Sequence, residues 1–382
     1  MKKKSHTSLW NKHGRALRRA HELFAGSFTT SGITNATLSF AAETTFVHLL
    51  KKFGITLLAS REYENLLIAL SPSGDTITQT FFHLPHPSGI AVTDSRVYVA
   101  ATRNPNQIIE FLPTKKGFSR PKANTASAKL LTPARTTHFA GCHYLHDLAF
   151  IGDDLYANAV GMNAVVQVDL LSSSLKPVWW PRCIGIKKPS TAVNHVQLNS
   201  IAAGATLATS FFSASGDSIL DRKPGDPLYP VNRRGVVFSG TTREPVSRGL
   251  TRPHSARLYK GRIIVANSGY GQIGFADPEF SPQITLPGWT RGLHIVGDVL
   301  FAGVSRVLPR FSRYAPGIQS RDAHCAIYAI SLPDWKVRGR VVFPAGNQIF
   351  AIESISMKKA TGFPFTTVSD VGTEDFFLTY RV

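Results

Sequence analysis

The 382-residue sequence has few cysteines, few acidic residues and no long hydrophobic stretch. Its three cysteines, Cys142, Cys183 and Cys325, form no CxxC pair. This argues against a disulfide framework or a cysteine zinc site and favours a reducing compartment. No apolar run approaches the roughly 18 residues of a membrane-spanning helix, and no signal-peptide core follows the basic start. We therefore expect a soluble, non-secreted, cytoplasmic protein with no transmembrane segment.

Several catalytic signatures are also missing. The spacings GxxxxGK[ST], GxSxG and HExxH do not occur, so the sequence has no P-loop, nucleophile elbow or zincin motif. We expect no nucleotide cofactor and no activated serine nucleophile. An enzyme of this sequence would therefore have to use other side chains.

The charge is strongly unbalanced, with 43 Lys and Arg against 24 Asp and Glu, a formal net charge of +19. Such a field favours an anionic partner. Basic residues crowd into residues 1–25, where Trp10, Leu17 and Phe24 fit one helical face. This predicts a short basic N-terminal helix within a partly helical extension over residues 1–50. It would contact an anionic surface or simply solubilise the chain. Nucleic acid is an unlikely partner, because the other basic residues are scattered and no base-stacking platform accompanies them.

The rest of the chain is a repeat. One phrase, two short apolar runs around a Gly or Asp turn, recurs six times, at 86–102, 144–160, 197–210, 252–268, 289–304 and, more weakly, 348–357. Each copy reads as strand, tight turn and strand. The aligned positions are 37 to 59 residues apart, which suits four-stranded blades. We predict an all-β fold, a single six-bladed β-propeller over residues 51–382, closed by pairing N- and C-terminal strands. Two β-sandwiches or a seven-bladed ring are the alternatives.

A propeller brings distant residues together, because the first residue of each inner strand lies near one mouth of the central channel. The aligned positions are Ser88, His146, Asn199, His254, Arg291 and Phe350. Two imidazoles could act as general base and acid, and a guanidinium could hold a carboxylate, phosphate or sulfate in two hydrogen bonds. We therefore predict His146 and His254 as catalytic residues. Substrate-binding roles are predicted for Arg291, Asn199 and Ser88.

Two histidines near an axis also suggest a metal. Arg291 at the equivalent step would place a fixed positive charge beside the cation, so no metal ligands are predicted. Strand alternation should point His294 away from the cluster. The Gly- and Pro-rich insertion at 211–234 is long enough to cover the channel.

Two classes of function remain open. The first is a small-molecule or peptide-carboxylate binder with an anionic ligand, acting as a lyase or hydrolase through histidine chemistry. The second is a non-catalytic propeller scaffold that binds a protein through its loops.

Four phrases resemble a known family. HDLAF (146–150), LNSIA (198–202), PHSAR (253–257) and LPGWTRGL (286–293) are similar, in this order, to phrases of the bacterial conserved hypothetical proteins grouped as domain of unknown function 4915. The resemblance extends from about residue 54 to 357. It implies a six-bladed propeller-like body and brings no established activity with it. The chain departs from the family pattern at Ser200, where glycine is usual, and at Ala351, where aspartate is usual.

Overall fold

The structure, a computed structural model, describes residues 33–103, 106–114, 129–141, 143–189, 193–226 and 228–367. Within these ranges the chain forms six antiparallel sheets. They are the blades of a six-bladed β-propeller, which confirms the fold class predicted from the repeat. The basic helix predicted within residues 1–25 lies outside the described ranges.

A short helical segment precedes the propeller. Its elements are α1 (Asn35–Leu38), β1 (Ala41–Ala42) and α2 (Thr44–Phe53). In α2, Phe46, Val47 and Leu50 are buried on one face, and Gly54 ends the helix in the left-handed conformation with φ 61°. The Phe46 ring meets Phe301 edge to face at 5.8 Å. The predicted boundary between extension and propeller, at residue 50, falls inside α2, and the division of the chain stays a prediction.

The strands follow in chain order. Those before the first complete blade are β2 (Ile55–Arg61), β3 (Leu66–Ser73) and β4 (Thr76–His83). Blade 1 contains β5 (Pro87–Val92), β6 (Val97–Ala101), β7 (Gln107–Pro113) and β8 (Leu131–His138). Blade 2 contains β9 (Leu145–Ile151), β10 (Asp154–Ala159), β11 (Ala164–Asp169) and β12 (Ser174–Trp179). Blade 3 contains β13 (Leu198–Ala202), β14 (Phe211–Ala214), β15 (Gly235–Ser239) and β16 (Pro245–Leu250).

The second half repeats the pattern. Blade 4 contains β17 (Pro253–Tyr259), β18 (Arg262–Asn267), β19 (Gln272–Ala276) and β20 (Phe280–Thr285). Blade 5 contains β21 (Trp289–Val296), β22 (Val299–Ser305), β23 (Ala326–Ser331) and β24 (Lys336–Val342), with β1 added outside β24. Blade 6 combines β25 (Ala351–Ser356) with β2, β3 and β4. Four 3₁₀ helices occur in the described ranges, at Val160–Met162, Arg182–Ile184, Ser268–Tyr270 and Pro309–Tyr314.

Two of the six predicted hairpins differ in the structure. The copy at 348–357 supplies one strand, β25, and its partner is β2, with Ile355 opposite Thr56. In the copy at 197–210 the second run is a loop, and the strand is Phe211–Ala214. Thr206 and Thr209 explain the loop, because each hydroxyl accepts the backbone N–H of the other residue and closes a turn. The long insertion therefore begins at residue 215.

A ring of hydrogen bonds joins the blades around the channel. At each of the six junctions a buried side chain of one blade donates to a carbonyl oxygen at the start of the next inner strand. The pairs are Ser60 to Ser88, Ser88 to Leu145, His146 to Asn199, Asn199 to Pro253, Ser268 to Thr290, and Ser305 to Ile349. We call this set the junction ring. It satisfies backbone carbonyls that the narrow channel shields from water.

Ser60 shows how much one junction contributes. Its hydroxyl donates to the Ser88 carbonyl at 2.6 Å and accepts the Ala351 N–H at 3.0 Å. We expect Ser60→Ala to lower the free energy of unfolding by about 1–3 kcal/mol, because two buried backbone groups lose their partner. Ser73→Ala, at an exposed position of the same blade, should change it by less than about 0.5 kcal/mol. Urea denaturation measures both; equal midpoints for the two variants would contradict this role.

Candidate functional site

The inner strands place the aligned residues around one end of the channel. In blades 1 to 5 the register between the inner strand and its neighbour shifts at or next to the aligned position, which marks a bulge. Beside them is a cavity of about 250 Å³. Its walls include His146, His254 and Arg291 of the predicted set. The walls also include Trp289, at the start of β21, and residues of the connecting segments, namely Tyr63, Gln197, Pro224, Gly225, Arg252, Arg306, Phe311, Tyr314 and Gln348.

Arg291 lies at the centre of this site. Its Nη2 donates to His146 Nε2 at 2.9 Å, and its guanidinium carbon lies 3.2 Å from the centre of the Phe350 ring. The residue is only 7% exposed, and within the described ranges it has no carboxylate in salt-bridge contact. Burial lowers the pKa of Arg291 to about 10. The side chain is therefore a buried cation whose charge is not neutralised by an ion pair.

The two histidines are held as the same tautomer, each by a backbone carbonyl oxygen. His146 Nδ1 must carry its hydrogen, because it donates to the Asn199 carbonyl oxygen at 2.8 Å. His254 Nδ1 likewise donates to the Arg252 carbonyl oxygen at 2.8 Å, with the Ser268 hydroxyl at 3.0 Å. The rings stack with centroids 5.6 Å apart. His146 Nε2 accepts from Arg291, whereas His254 Nε2 has no hydrogen-bond partner in the described part of the chain.

Both imidazoles are neutral at pH 7. Burial, and next the positive charge of Arg291, lower the pKa of His146 well below its usual range. The same two causes lower the pKa of His254, and His146 adds to them. A neutral imidazole with Nδ1 protonated has a lone pair at Nε2. His254 is thus the imidazole that can still accept a hydrogen bond or a proton from a molecule in the cavity.

Ser88 and Asn199 have places in the junction ring. The Ser88 hydroxyl donates to the Leu145 and Ala100 carbonyl oxygens at 2.7 Å and 3.1 Å. Asn199 Nδ2 donates to the Pro253 carbonyl oxygen at 2.8 Å and to the Ser215 hydroxyl at 3.0 Å. Both side chains therefore have a structural role, because these hydrogen bonds join neighbouring blades. The substrate-orienting role predicted for them stays a prediction.

Sequence reasoning missed Arg252. This residue precedes blade 4, has φ 50°, and is 4% exposed. It donates to the Gln197 side chain and to the Pro224 carbonyl oxygen, and its guanidinium carbon lies 4.3 Å from the centre of the Tyr314 ring. Burial lowers the pKa of Arg252 to about 10. It lies two residues before an aligned position, so the repeat alone did not identify it.

Two long loops form part of the cavity wall. The loop between β14 and β15 contributes Pro224 and Gly225, and the loop between β22 and β23 contributes Phe311 and Tyr314. Stacked rings join the second loop to blade 6, with Tyr63 and Phe311 centroids 5.9 Å apart. The insertion singled out in the sequence therefore lies at the cavity, and a second loop accompanies it.

A separate polar cluster lies further along the inner strands. Asp147 accepts the Ile201 N–H of the next blade at 3.0 Å and pairs with Arg257 at 3.2 Å. His294 Nδ1 lies 2.9 Å from a Glu353 oxygen, so His294 belongs to this cluster and not to the one around His146. Burial raises the pKa of Asp147, an effect that the charge of Arg257 partly offsets. This cluster differs from the first because its arginine has a carboxylate partner.

The described residues contain no group of three or more His, Cys, Asp or Glu side chains arranged to hold a metal ion. One GxGxxG spacing does occur, GYGQIG at 269–274. It forms the turn between β18 and β19, two antiparallel strands of blade 4. A dinucleotide site needs this spacing between a strand and a helix, so the setting is different here. In the described part of the chain no helix is long and apolar enough to cross a membrane.

These features define a class of protein: a β-propeller with a polar, arginine-containing cavity at one end of its channel. A model of the family described as Domain of unknown function (DUF4915) matches residues 44–362, and the chain belongs to this family. The family resemblance found in the sequence phrases is thereby confirmed. No curated protein matches the sequence.

Solved structures give the fold only. A chain in the crystal structure of a nidogen/laminin complex has a TM-score of 0.50 and 10% identity, covering 79% of this chain and 98% of that chain. The computationally designed Ika8 protein has a TM-score of 0.33 at 8% identity, covering 78% and 79%. Myxococcus xanthus glutaminyl cyclase has a TM-score of 0.31 at 12% identity, covering 52% and 76%.

Proposed function

We propose that the protein binds a small anionic molecule, or the carboxylate of a peptide, at the cavity around Arg291. The observation that carries this is the composition of the junction ring. Blades 1 to 3 use their aligned residues in it, whereas blades 4 and 5 use Ser268 and Ser305. His254 and Arg291 are therefore polar groups at the channel that ring closure does not require. Polar groups buried in addition to those that join the blades are costly and are common at functional sites.

Electrostatics supports an anion. Arg291 and Arg252 are both buried, and neither has an ion-pair partner among the described residues. The carboxylate of Glu62, whose charge acts on Arg291, is already paired with His86 and Arg103, at 3.0 Å and 2.8 Å. A bound carboxylate or phosphate would supply the missing negative charge.

The chemistry we propose is proton transfer at His254, in a lyase or hydrolase step. Nε2 of the neutral imidazole would accept a proton from the bound molecule. The bonding electrons would stay on that molecule, where Arg291 stabilises the negative charge. His146 is then a positioning residue, because its Nε2 accepts from Arg291 and its Nδ1 belongs to the junction ring.

The alternative is a non-catalytic scaffold for protein binding. The contacts of Arg291 with His146 and Phe350 favour it, because side chains that satisfy one another need no ligand. The free thiols of Cys183 and Cys325 support the cytoplasm as the proposed location of the protein, whichever of the two functions it has.

A thermal-unfolding screen separates the two functions. We expect small carboxylates, phosphates or sulfated sugars to raise the Tm of the full chain. At a ligand concentration of a hundred times the Kd, the free energy of unfolding should rise by about 2.7 kcal/mol. Arg291→Gln should remove the shift. Arg338→Gln, which alters an exposed arginine paired with Asp334, should retain it. A rise in Tm with divalent metals alone would contradict anion binding. So would the absence of any rise in Tm with these compounds.

A further inference from the structure

The cavity offers an unequal set of hydrogen-bonding groups. Arg291 has five N–H groups, and one of them reaches a partner in the described ranges, His146 Nε2. His254 Nε2 is an acceptor with no such partner, and its ring lies in the cavity wall. A complementary ligand therefore has an anionic acceptor for Arg291 and, close by, one hydrogen-bond donor for His254.

Charge restricts the kind of donor. An ammonium group would lie among two buried arginines, Arg252 and Arg291, which lack carboxylate partners in the described part of the chain. Like charges in a poorly solvated site repel strongly. A hydroxyl group carries the same donor without the charge. The geometry thus favours a hydroxy acid over an amino acid.

Size restricts the class further. A dry cavity of about 150 Å³ holds benzene, so about 250 Å³ has room for a molecule of about a dozen non-hydrogen atoms. Four aromatic side chains in the wall, those of Tyr63, Trp289, Phe311 and Tyr314, suit an apolar ring on such a molecule. A nucleotide or a folded partner would not fit inside.

We propose that the ligand is a small hydroxycarboxylate, with its carboxylate on Arg291 and its hydroxyl donating to His254 Nε2. This inference rests on the proposed anion site and names its substrate class. His254 and Arg291 are the aligned polar residues that the junction ring does not use, and one such ligand would bind to both.

The test compares three ligands of one shape by calorimetry with the full-length protein. The probes are 3-phenyllactate, 3-phenylpropionate, which lacks the hydroxyl, and L-phenylalanine, which has an ammonium in its place. We expect 3-phenyllactate to bind about tenfold more tightly than 3-phenylpropionate, the value of one hydrogen bond to a site that is otherwise left unpaired. L-phenylalanine should bind more weakly than either.

A variant tests whether His254 causes the preference for 3-phenyllactate over 3-phenylpropionate. In His254→Asn the side-chain amide can replace the Nδ1 donor to the Arg252 carbonyl, while the Nε2 acceptor is lost. The tenfold preference should fall to about onefold, with 3-phenylpropionate affinity within about threefold of the original. Ser312→Ala, at an exposed position of the β22–β23 loop that does not line the cavity, serves as the control and should keep the preference.

The outcomes are distinguishable. Equal affinities of the wild-type protein for 3-phenyllactate and 3-phenylpropionate overturn the hydroxycarboxylate proposal and leave the anion site standing, whether or not the variant folds. Tighter binding of inorganic phosphate than of any carboxylate has the same consequence. Failure of every carboxylate, phosphate and sulfate to bind overturns the proposed function itself.

Discussion

Replacing Arg291 with methionine is expected to weaken carboxylate binding by about a hundredfold or more and, at the same time, to stabilise the fold. The lost affinity follows from removing charge-assisted hydrogen bonds, worth about 1.5–3 kcal/mol each. The gain in stability follows because the guanidinium is buried without a carboxylate partner among the described residues, and methionine fills similar space with no charge to desolvate. Loss of the hydrogen bond to His146 Nε2 offsets part of this gain, so we expect the free energy of unfolding to rise by only about 1 kcal/mol.

Arg257→Met is the matched control for this experiment. Arg257 also lies on an inner strand, with its side chain 17% exposed, but it pairs with Asp147 at 3.2 Å. Removing it leaves a buried carboxylate unpaired, which should cost about 3–5 kcal/mol while carboxylate affinity is kept. Urea denaturation and calorimetry with 3-phenyllactate measure both variants. If Arg291→Met destabilises the fold as much as Arg257→Met does, Arg291 is a structural residue and the anion site loses its main support.

Part of the site, including Arg291, could be predicted from the sequence. The repeat identified Arg291 together with His146 and His254, because a propeller brings equivalent positions of its inner strands to one end of the channel. Periodicity alone contains that information. It also predicted six blades, although the strand at Phe211–Ala214 was placed too early, since a turn closed by threonine hydroxyls has no apolar pattern to mark it.

Which aligned residues face the cavity was not predictable. Ser88 and Asn199 donate to carbonyl oxygens of the junction ring, whereas His254 and Arg291, at strands with the same bulge, line the cavity. Arg252 lies outside the repeat, and loop residues such as Tyr63 and Gln348 reach the cavity through chain paths that depend on distant contacts. A spacing argument identifies equivalent positions along strands and contains no information about loops.

The second large effect expected is a loss of stability on mild acidification, caused by His146 and His254. Burial first, and then Arg291, hold the pKa of both imidazoles well below the usual 6.5 in the folded protein. Below about pH 6.5 the unfolded chain therefore binds protons that the folded protein does not bind. The free energy of unfolding falls as pH decreases from about 6.5 towards the lowered folded-state pKa values. The slope is about 1.4 kcal/mol per pH unit for each histidine.

Urea denaturation at pH 7.5, 6.5, 5.5 and 5.0 measures this slope, and His254→Asn should reduce it by about 1.4 kcal/mol per pH unit. Other groups titrate in the same range in both proteins, so the difference between the two curves isolates His254. Saturating 3-phenyllactate should oppose the effect of acid, because its negative charge offsets that of Arg291 and raises the pKa of both imidazoles. A wild-type curve parallel to that of His254→Asn would mean that His254 binds its proton over the same pH range in the folded and the unfolded chain, which would contradict a buried imidazole held neutral beside Arg291.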